Sequence, residues 1–277
     1  MGNRIAYLGP EGTFTEQAAV QYSIDAVLEP FPSVASVAMS VSSGTVDEGV
    51  VPIENNLEGS VTATLDLLIQ EPRLFIRREL VLPIEHCLLV KPGTRSADIQ
   101  VVYSHPQALA QCRNFLSKNL PDAIEIASMS TASAVKEMLQ KGENAAAIGT
   151  ERAGSIYGAE TIAHQIEDNP NNVTRFVILA PNDSDVTGED KTSICFSFDG
   201  DAPGILHSTL NEFAKRKINL TKIESRPSKK DLGRYIFLTD IEGHRKDNII
   251  EEALTGIEKQ VSMFKIFGSY PRYRYNK

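Results

Sequence analysis

The chain has 277 residues, 42% of them apolar, with mean hydropathy −0.18, which is enough to bury more than one core. Its net charge of −8 is unevenly shared: residues 1–189 hold 12 basic and 24 acidic side chains, net −12, and residues 190–277 hold 16 and 12, net +4. The acidic first part disfavours nucleic acid as a partner, and three cysteines without C-x-x-C spacing, Cys87, Cys112 and Cys195, disfavour a disulfide framework or zinc ribbon and fit a reducing compartment.

The N-terminus enters a strand pattern at once, Ile5 to Leu8, with no apolar leader. Pro83 and Glu85 interrupt the best apolar run, so neither a signal peptide nor a membrane span is expected and the protein is read as cytoplasmic. Next come Gly9-Pro10-Glu11-Gly12-Thr13-Phe14-Thr15-Glu16 and a helix to about Tyr22. Thr13 and Glu16 have capping-box spacing. The free N–H groups of such a helix start suit a carboxylate or phosphate, and a plain turn fits the same residues. Neither G-x-G-x-x-G nor GK[ST] occurs, so nucleotide binding is not indicated. A strand at Val27 to Phe31 and a helix from Ser33 to Ser42 precede a buried strand, Glu48 to Ile53. That strand ends in Glu54-Asn55-Asn56-Leu57-Glu58-Gly59-Ser60, ahead of a helix from Val61 to Gln70. Polar groups at a strand's carboxyl end fit the ligand crevice of an open α/β sheet, or a solvated loop capped by Ser60.

Arg73 to Leu82 and Ile84 to Val90 are β-like and connect to a second alternation: strand Val101 to Tyr103, helix Pro106 to Lys118, strand Ile124 to Ala127, a Ser/Thr-started helix to Gln140, and a buried run Ala145 to Ile148. Ser104 and Gln107 again have capping-box spacing, with Pro106 tolerated in the first turn. His105 at such a start is either a neutral hydrogen-bonding group or an ordinary first-turn residue. Asp168-Asn169-Pro170-Asn171-Asn172 is a dense turn signal that breaks into a strand, Val173 to Ala180. Its first residues, Thr174, Arg175 and Phe176, put a hydroxyl, a fixed cation and a ring where ligands often bind. A polar stretch with no apolar period, Pro181 to Asp190, reads as a linker. The remaining third of the chain reads as strand Thr192 to Phe198, helix Gly204 to Lys217, strands Leu220 to Ser225 and Arg234 to Asp240, helix Lys246 to Glu258 and strand Met263 to Phe267. That is the βαββαβ, ferredoxin-like pattern, expected to sense a ligand or assemble subunits.

Gly9-Pro10-Glu11-Gly12-Thr13-Phe14-Thr15, Val51-Pro52-Ile53-Glu54-Asn55, Ser104-His105-Pro106-Gln107 and Thr174-Arg175-Phe176 occur in the order seen in prephenate dehydratases, and the chain resembles that family over nearly its whole length. Residues 190–277 resemble the family's ACT regulatory domain, most specifically at Ile218-Asn219-Leu220-Thr221-Lys222-Ile223-Glu224-Ser225-Arg226-Pro227. Without a preceding chorismate mutase helical domain, it looks like a monofunctional enzyme. The resemblance implies an α/β fold with a two-lobed catalytic domain similar to type II periplasmic binding proteins at 1–182, a linker at 183–190, and an ACT domain at 191–277. It also implies decarboxylating dehydration of prephenate to phenylpyruvate without metal or cofactor, feedback inhibition by phenylalanine, and a homodimer or homotetramer.

By the same resemblance Thr174 is catalytic, with Arg175 holding a carboxylate through its bidentate fork and Phe176 walling the cleft. Thr13, Phe14, Asn55, Asn56, Ser104, His105, Gln107 and Asn172 would bind substrate. Gly204, Ile205, Leu206, Asn219, Leu220, Glu224, Ser225 and Arg226 would form the phenylalanine site. Family members commonly have Ser at position 56, and their Gly-Ala-Leu-Val pattern is here Gly204-Ile205-Leu206-His207. Strand alternation adds a geometric expectation: Thr174 and Phe176 share the ligand side, while Arg175 reaches round or braces the lobe. The residues do not separate prephenate from arogenate as substrate.

Overall fold

The computed structural model describes residues 2–141, 144–200, 202–228 and 234–274. The first lobe comprises β1 (Arg4–Leu8), α1 (Phe14–Tyr22), β2 (Val27–Phe31), α2 (Val34–Ser42), β3 (Glu48–Asn55), β4 (Gly59–Ser60), α3 (Thr62–Gln70) and β5 (Phe75–Pro83). The chain then crosses to a second lobe. This contains β6 (Cys87–Val90), β7 (Val101–Ser104), α4 (Pro106–Gln111), α5 (Arg113–Asn119), β8 (Ile124–Ala127), α6 (Thr131–Lys141), β9 (Ala145–Gly149), α7 (Glu151–Tyr157) and β10 (Glu160–Ala163). It returns through β11 (Val173–Ala180), which inserts antiparallel between β3 and β5 to give the order β2-β1-β3-β11-β5. The second sheet runs β10-β6-β9-β7-β8. Two α/β lobes crossed twice by one chain leave a cleft between them, and β11 is a central strand whose first residues stand at its rim.

The C-terminal unit, β12 (Asp190–Ser197), α8 (Ile205–Ala214), β13 (Leu220–Pro227), β14 (Tyr235–Glu242), α9 (Asn248–Glu258) and β15 (Met263–Pro271), has the expected βαββαβ order and an antiparallel sheet, β13-β14-β12-β15. Its helices cover one sheet face. The other face shares a core with the first lobe: Ile236, Leu238, Phe267 and Tyr270 pack with Leu65, Leu68, Ile76, Val177 and Leu179. Gly268 approaches β5 so closely that a side-chain carbon there would collide with the Ile76 backbone. The segment before β12 is therefore no free tether. Asp183 accepts from Arg245 and from the Ser269 N–H, and the Ser184 N–H donates to the Ser269 carbonyl.

Two local features differ from the sequence expectations. The single helix expected over Pro106 to Lys118 breaks at Cys112 into α4 and α5. The Asp168 N–H takes the Gln111 carbonyl at 2.7 Å, and the Asp168 carboxylate accepts from the Asn114 N–H at 3.1 Å, so a loop more than fifty residues away caps both new ends. The short α7 and β10, seven and four residues long, have no sequence counterpart because so few residues show no period. No helix among the described residues is long and apolar enough to cross a membrane.

Candidate active site in the cleft between the lobes

A cavity of about 470 Å³ lies between the lobes, with Thr174, Phe176, Asn55, Thr13 and Phe14 on one wall and His105, Gln107, Gln111, Ser130 and Thr131 on the other. Among the described residues no lysine or arginine lines it. The donors for an anion are instead hydroxyls, amides and two helix starts that enter from opposite lobes. Thr13 caps α1, accepting from the Glu16 N–H, and Ser130 caps α6, accepting from the Ser133 N–H. Unpaired N–H groups and the dipole at each start favour negative charge.

Thr174 sits at the centre of a hydrogen-bond relay whose polarity the backbone determines. The Asn55 side-chain oxygen accepts from the Leu57 and Glu58 N–H groups at 2.9 and 3.0 Å, so its amide nitrogen must face the strand. That nitrogen donates to Thr174 Oγ1 at 2.9 Å and Asn172 Oδ1 at 2.8 Å. With its oxygen already accepting, the Thr174 hydroxyl keeps its proton for a ligand. Asn172 Nδ2 donates in turn to Gln111 Oε1 at 3.1 Å, and His86 Nε2 is 3.0 Å from the same oxygen. An acceptor there requires His86 to carry its proton on Nε2, leaving Nδ1 bare. His86 is 2% exposed and lines the cavity, and its Nδ1 has no partner among the described residues. Burial pushes its pKa below the ordinary value, against a smaller opposing pull from Gln111 and Glu167, which favours the neutral ring.

Thr13, Phe14, Asn55, His105, Gln107, Thr174 and Phe176 thus converge on the cavity. Asn56, Ser104, Asn172 and Arg175 lie outside its lining, each for a local reason. Asn56 spans to the turn before β11, donating to the Asn171 carbonyl and accepting from the Val173 N–H. Asn172 is the middle of the relay. The capping box expected at Ser104 is absent: its hydroxyl is wholly buried and donates to the Ile148 carbonyl at 2.8 Å, and His105 caps α4 instead through Nδ1. Arg175 points to the opposite sheet face, where its Nη1 donates to Asp240 at 2.7 Å and its Nη2 to the Tyr270 hydroxyl at 2.7 Å. Its Nε also lies 2.7 Å from Glu79 as an ion pair off the N–H axis. Sequence reasoning overlooked His86, Gln111, Ser130 and Thr131. Only the N-terminal Ser/Thr of α6 carried a signal, the same helix-start signal read at Thr13.

The lobes are latched beside the cavity. Thr150 donates to the Gly12 carbonyl at 2.6 Å, and Arg152 reaches Glu16, which accepts from the Gly12 N–H at 2.6 Å. Gly12 has φ +86°, and a Cβ there would lie 2.9 Å from the Ala153 side chain. Gly12→Ala therefore meets both a strained backbone and a filled space, at an expected cost of about 1–3 kcal/mol. Its thermal unfolding midpoint should fall below that of the parent chain; an unchanged midpoint would mean the lobes part there at no cost.

In the C-terminal unit, Gly204, Ile205 and Leu206 line a second cavity of about 740 Å³ with Phe198, His207, Tyr235 and Phe237. Asn219, Leu220, Glu224, Ser225 and Arg226 do not. Strand alternation sends Glu224 and Arg226 toward the first lobe, where Glu224 accepts from Ser60 and Arg226 donates to Asp66 at 2.6 Å.

Comparison with known proteins agrees with this layout. Residues 5–184 match the family model described as prephenate dehydratase, and residues 200–259 the one described as ACT domain. The chain is 42% identical over 97% of its length to a bifunctional chorismate mutase/prephenate dehydratase of Aquifex aeolicus, 74% of which it covers. It is 39% identical over 98% of its length to a prephenate dehydratase of Methanocaldococcus jannaschii, 99% of which is covered. A crystal structure of prephenate dehydratase from Arthrobacter aurescens in complex with L-Phe superposes with a TM-score of 0.90 at 37% identity, covering 97% of this chain and 90% of that one. With both halves matched, the chain belongs to the prephenate dehydratase family and carries an ACT domain.

Proposed function

We propose that the chain converts prephenate to phenylpyruvate, water and CO2 in phenylalanine biosynthesis, and that phenylalanine inhibits it through the ACT domain. The observation that carries this reading is the Thr174 hydroxyl, held by Asn55 with its proton free inside a cavity furnished with neutral donors. Prephenate is a dianion whose ring C–O bond breaks as the ring carboxylate leaves. The electron pair of the departing C–CO2 bond enters the ring, aromatising it, and the hydroxyl departs as hydroxide, which takes a proton from solvent to become water once the lobes open. Thr174 supports this step by donating a hydrogen bond that strengthens as charge develops on the leaving oxygen. An aliphatic alcohol is absent from the groups that titrate in the biological range, so Thr174 polarises rather than protonates. The two helix starts hold the carboxylates, and closed lobes exclude water.

We take residues 1–182 as the catalytic domain, 183–190 as the linker and 191–277 as the regulatory domain. Phenylalanine occupies the cavity beside Gly204, Ile205 and Leu206, where Phe198 and Phe237 supply an aromatic wall. The edge position of β13 in its sheet, with Ile223 half exposed, supports self-association as a homodimer or homotetramer. Three buried free cysteines support a cytoplasmic location. Incubating the protein with prephenate, and in parallel with arogenate, with and without excess phenylalanine tests the reading. Phenylpyruvate should form from prephenate and slow when phenylalanine is added; no phenylpyruvate would overturn the activity, and equal rates would overturn the inhibition.

A further inference from the structure

Arg175 stands between two residues of the catalytic cavity yet belongs to neither wall. Alternation along β11 puts Thr174 and Phe176 on the cavity side, and the same alternation drives the Arg175 side chain into the seam with the ACT sheet. There it joins a largely buried group of two cations and three anions: Arg175 with Asp240, Glu79 and, at 3.5 Å, the partly exposed Glu54, and Lys191 with Glu79 at 2.9 Å. Ser193 donates to Asp240, and the Tyr270 hydroxyl accepts from Arg175. Asp240 lies on β14, which alternates in the same way. Ile236 and Leu238 share its face and pack into the core common to the first lobe, whereas Tyr235 and Phe237, on the opposite face, line the ACT cavity.

Two strands therefore each present one face to a cavity and the other to this seam, where Val177 and Leu179 share an apolar core with Ile236 and Leu238 and the Arg175–Asp240 pair is a direct polar link between the strands. A guanidinium fork is planar and rigid, and both of its partners are desolvated. A displacement of β14 must either carry the fork with it or break the pair at high cost, which suits a switch better than a gradual adjustment. The neighbouring contacts act in the same direction: Lys222 holds Glu54, next to Asn55, at 3.1 Å, and Lys265 donates to carbonyls at the end of α3.

Resting on the reading that phenylalanine fills the ACT cavity, we propose that Arg175 is a positioning residue that conveys occupancy of that cavity, through β14 and Asp240, to Thr174 and Phe176. Coupling of this kind typically amounts to about 5–150-fold in affinity and acts equally in both directions. The test therefore measures the coupling itself.

Phenylalanine binding is measured by calorimetry, and prephenate turnover with and without saturating phenylalanine, for the parent chain, Asp240→Asn and Tyr270→Phe. Neither substituted residue lines either cavity. The expected result is that the variants bind phenylalanine within about threefold of the parent, while the ratio of uninhibited to inhibited rate falls by about tenfold. Variants that bind phenylalanine and keep the parental ratio would overturn the role of Arg175 alone. A parent chain that binds phenylalanine without slowing, or fails to bind it, overturns the reading of the ACT cavity and this role with it. Should Asp240→Asn fail to fold, Tyr270→Phe, which retains every charge of the seam, decides the outcome by the same ratio.

Discussion

Thr174→Ala should lower kcat for prephenate by about 10²–10³-fold, the usual effect of deleting one donor aimed at a developing negative charge. The Michaelis constant should change little, because the bond strengthens only as the C–O bond breaks and so contributes to the transition state more than to substrate binding. Thr174→Ser is the informative companion. It retains the hydroxyl and the acceptor that Asn55 saturates at 2.9 Å, losing only a methyl group. Its rate should therefore stay much nearer the parent than that of the alanine variant. Steady-state kinetics on both proteins settles the matter, and a serine variant as slow as the alanine variant would show that the hydroxyl is not what accelerates the reaction.

Arg175→Met should destabilise the protein by about 3–5 kcal/mol, since removing one member of a buried ion-pair group strands its partners in a medium that cannot solvate them. The seam then holds the Glu79 and Asp240 carboxylates against Lys191 alone. Denaturant unfolding monitored by two probes reads this loss directly. The pH dependence comes from Asp240. Burial pushes its carboxyl up, but Arg175, Lys191 and Ser193 together outweigh burial and hold it below the ordinary carboxylate range. A depressed folded pKa contributes stability that is present above the unfolded value, 3.8, and is lost as pH falls through the folded one. The parent should therefore lose seam stability only below about pH 4, and the difference between parent and Arg175→Met should shrink there. A difference that stays constant on acidification would argue that packing of the Arg175 stem, rather than its charge, is what matters.

Much of the fold was legible in the residues. Turn formers, capping pairs and apolar runs placed nearly every strand and long helix, because those signals act over three or four neighbours. The break between α4 and α5 was not legible, since the Asp168 loop that makes it is remote in sequence. The site divided in the same way. Thr13 and the Ser/Thr start of α6 advertise free N–H groups locally, whereas His86 and Gln111 carry no motif and enter the wall only when the lobes close on the Asn55 relay. Ser104 had the spacing of a cap, but the carbonyl of Ile148 on β9 claimed its hydroxyl first.

The alternation of β11 was determined by the sequence alone: a strand turns successive side chains to opposite faces, so Thr174 and Phe176 had to part from Arg175. What each face would meet was decided by the tertiary structure. Asp240 and Tyr270 lie 65 and 95 residues away in the chain, and their arrival depends on the ACT sheet docking its uncovered apolar face on the first lobe. Glu224 and Arg226 turned away from the ACT cavity for the same reason, because that docking buries one face of β13 against Ser60 and Asp66. Local chemistry sets which way a side chain points, and long-range packing of apolar surface sets what stands there to receive it.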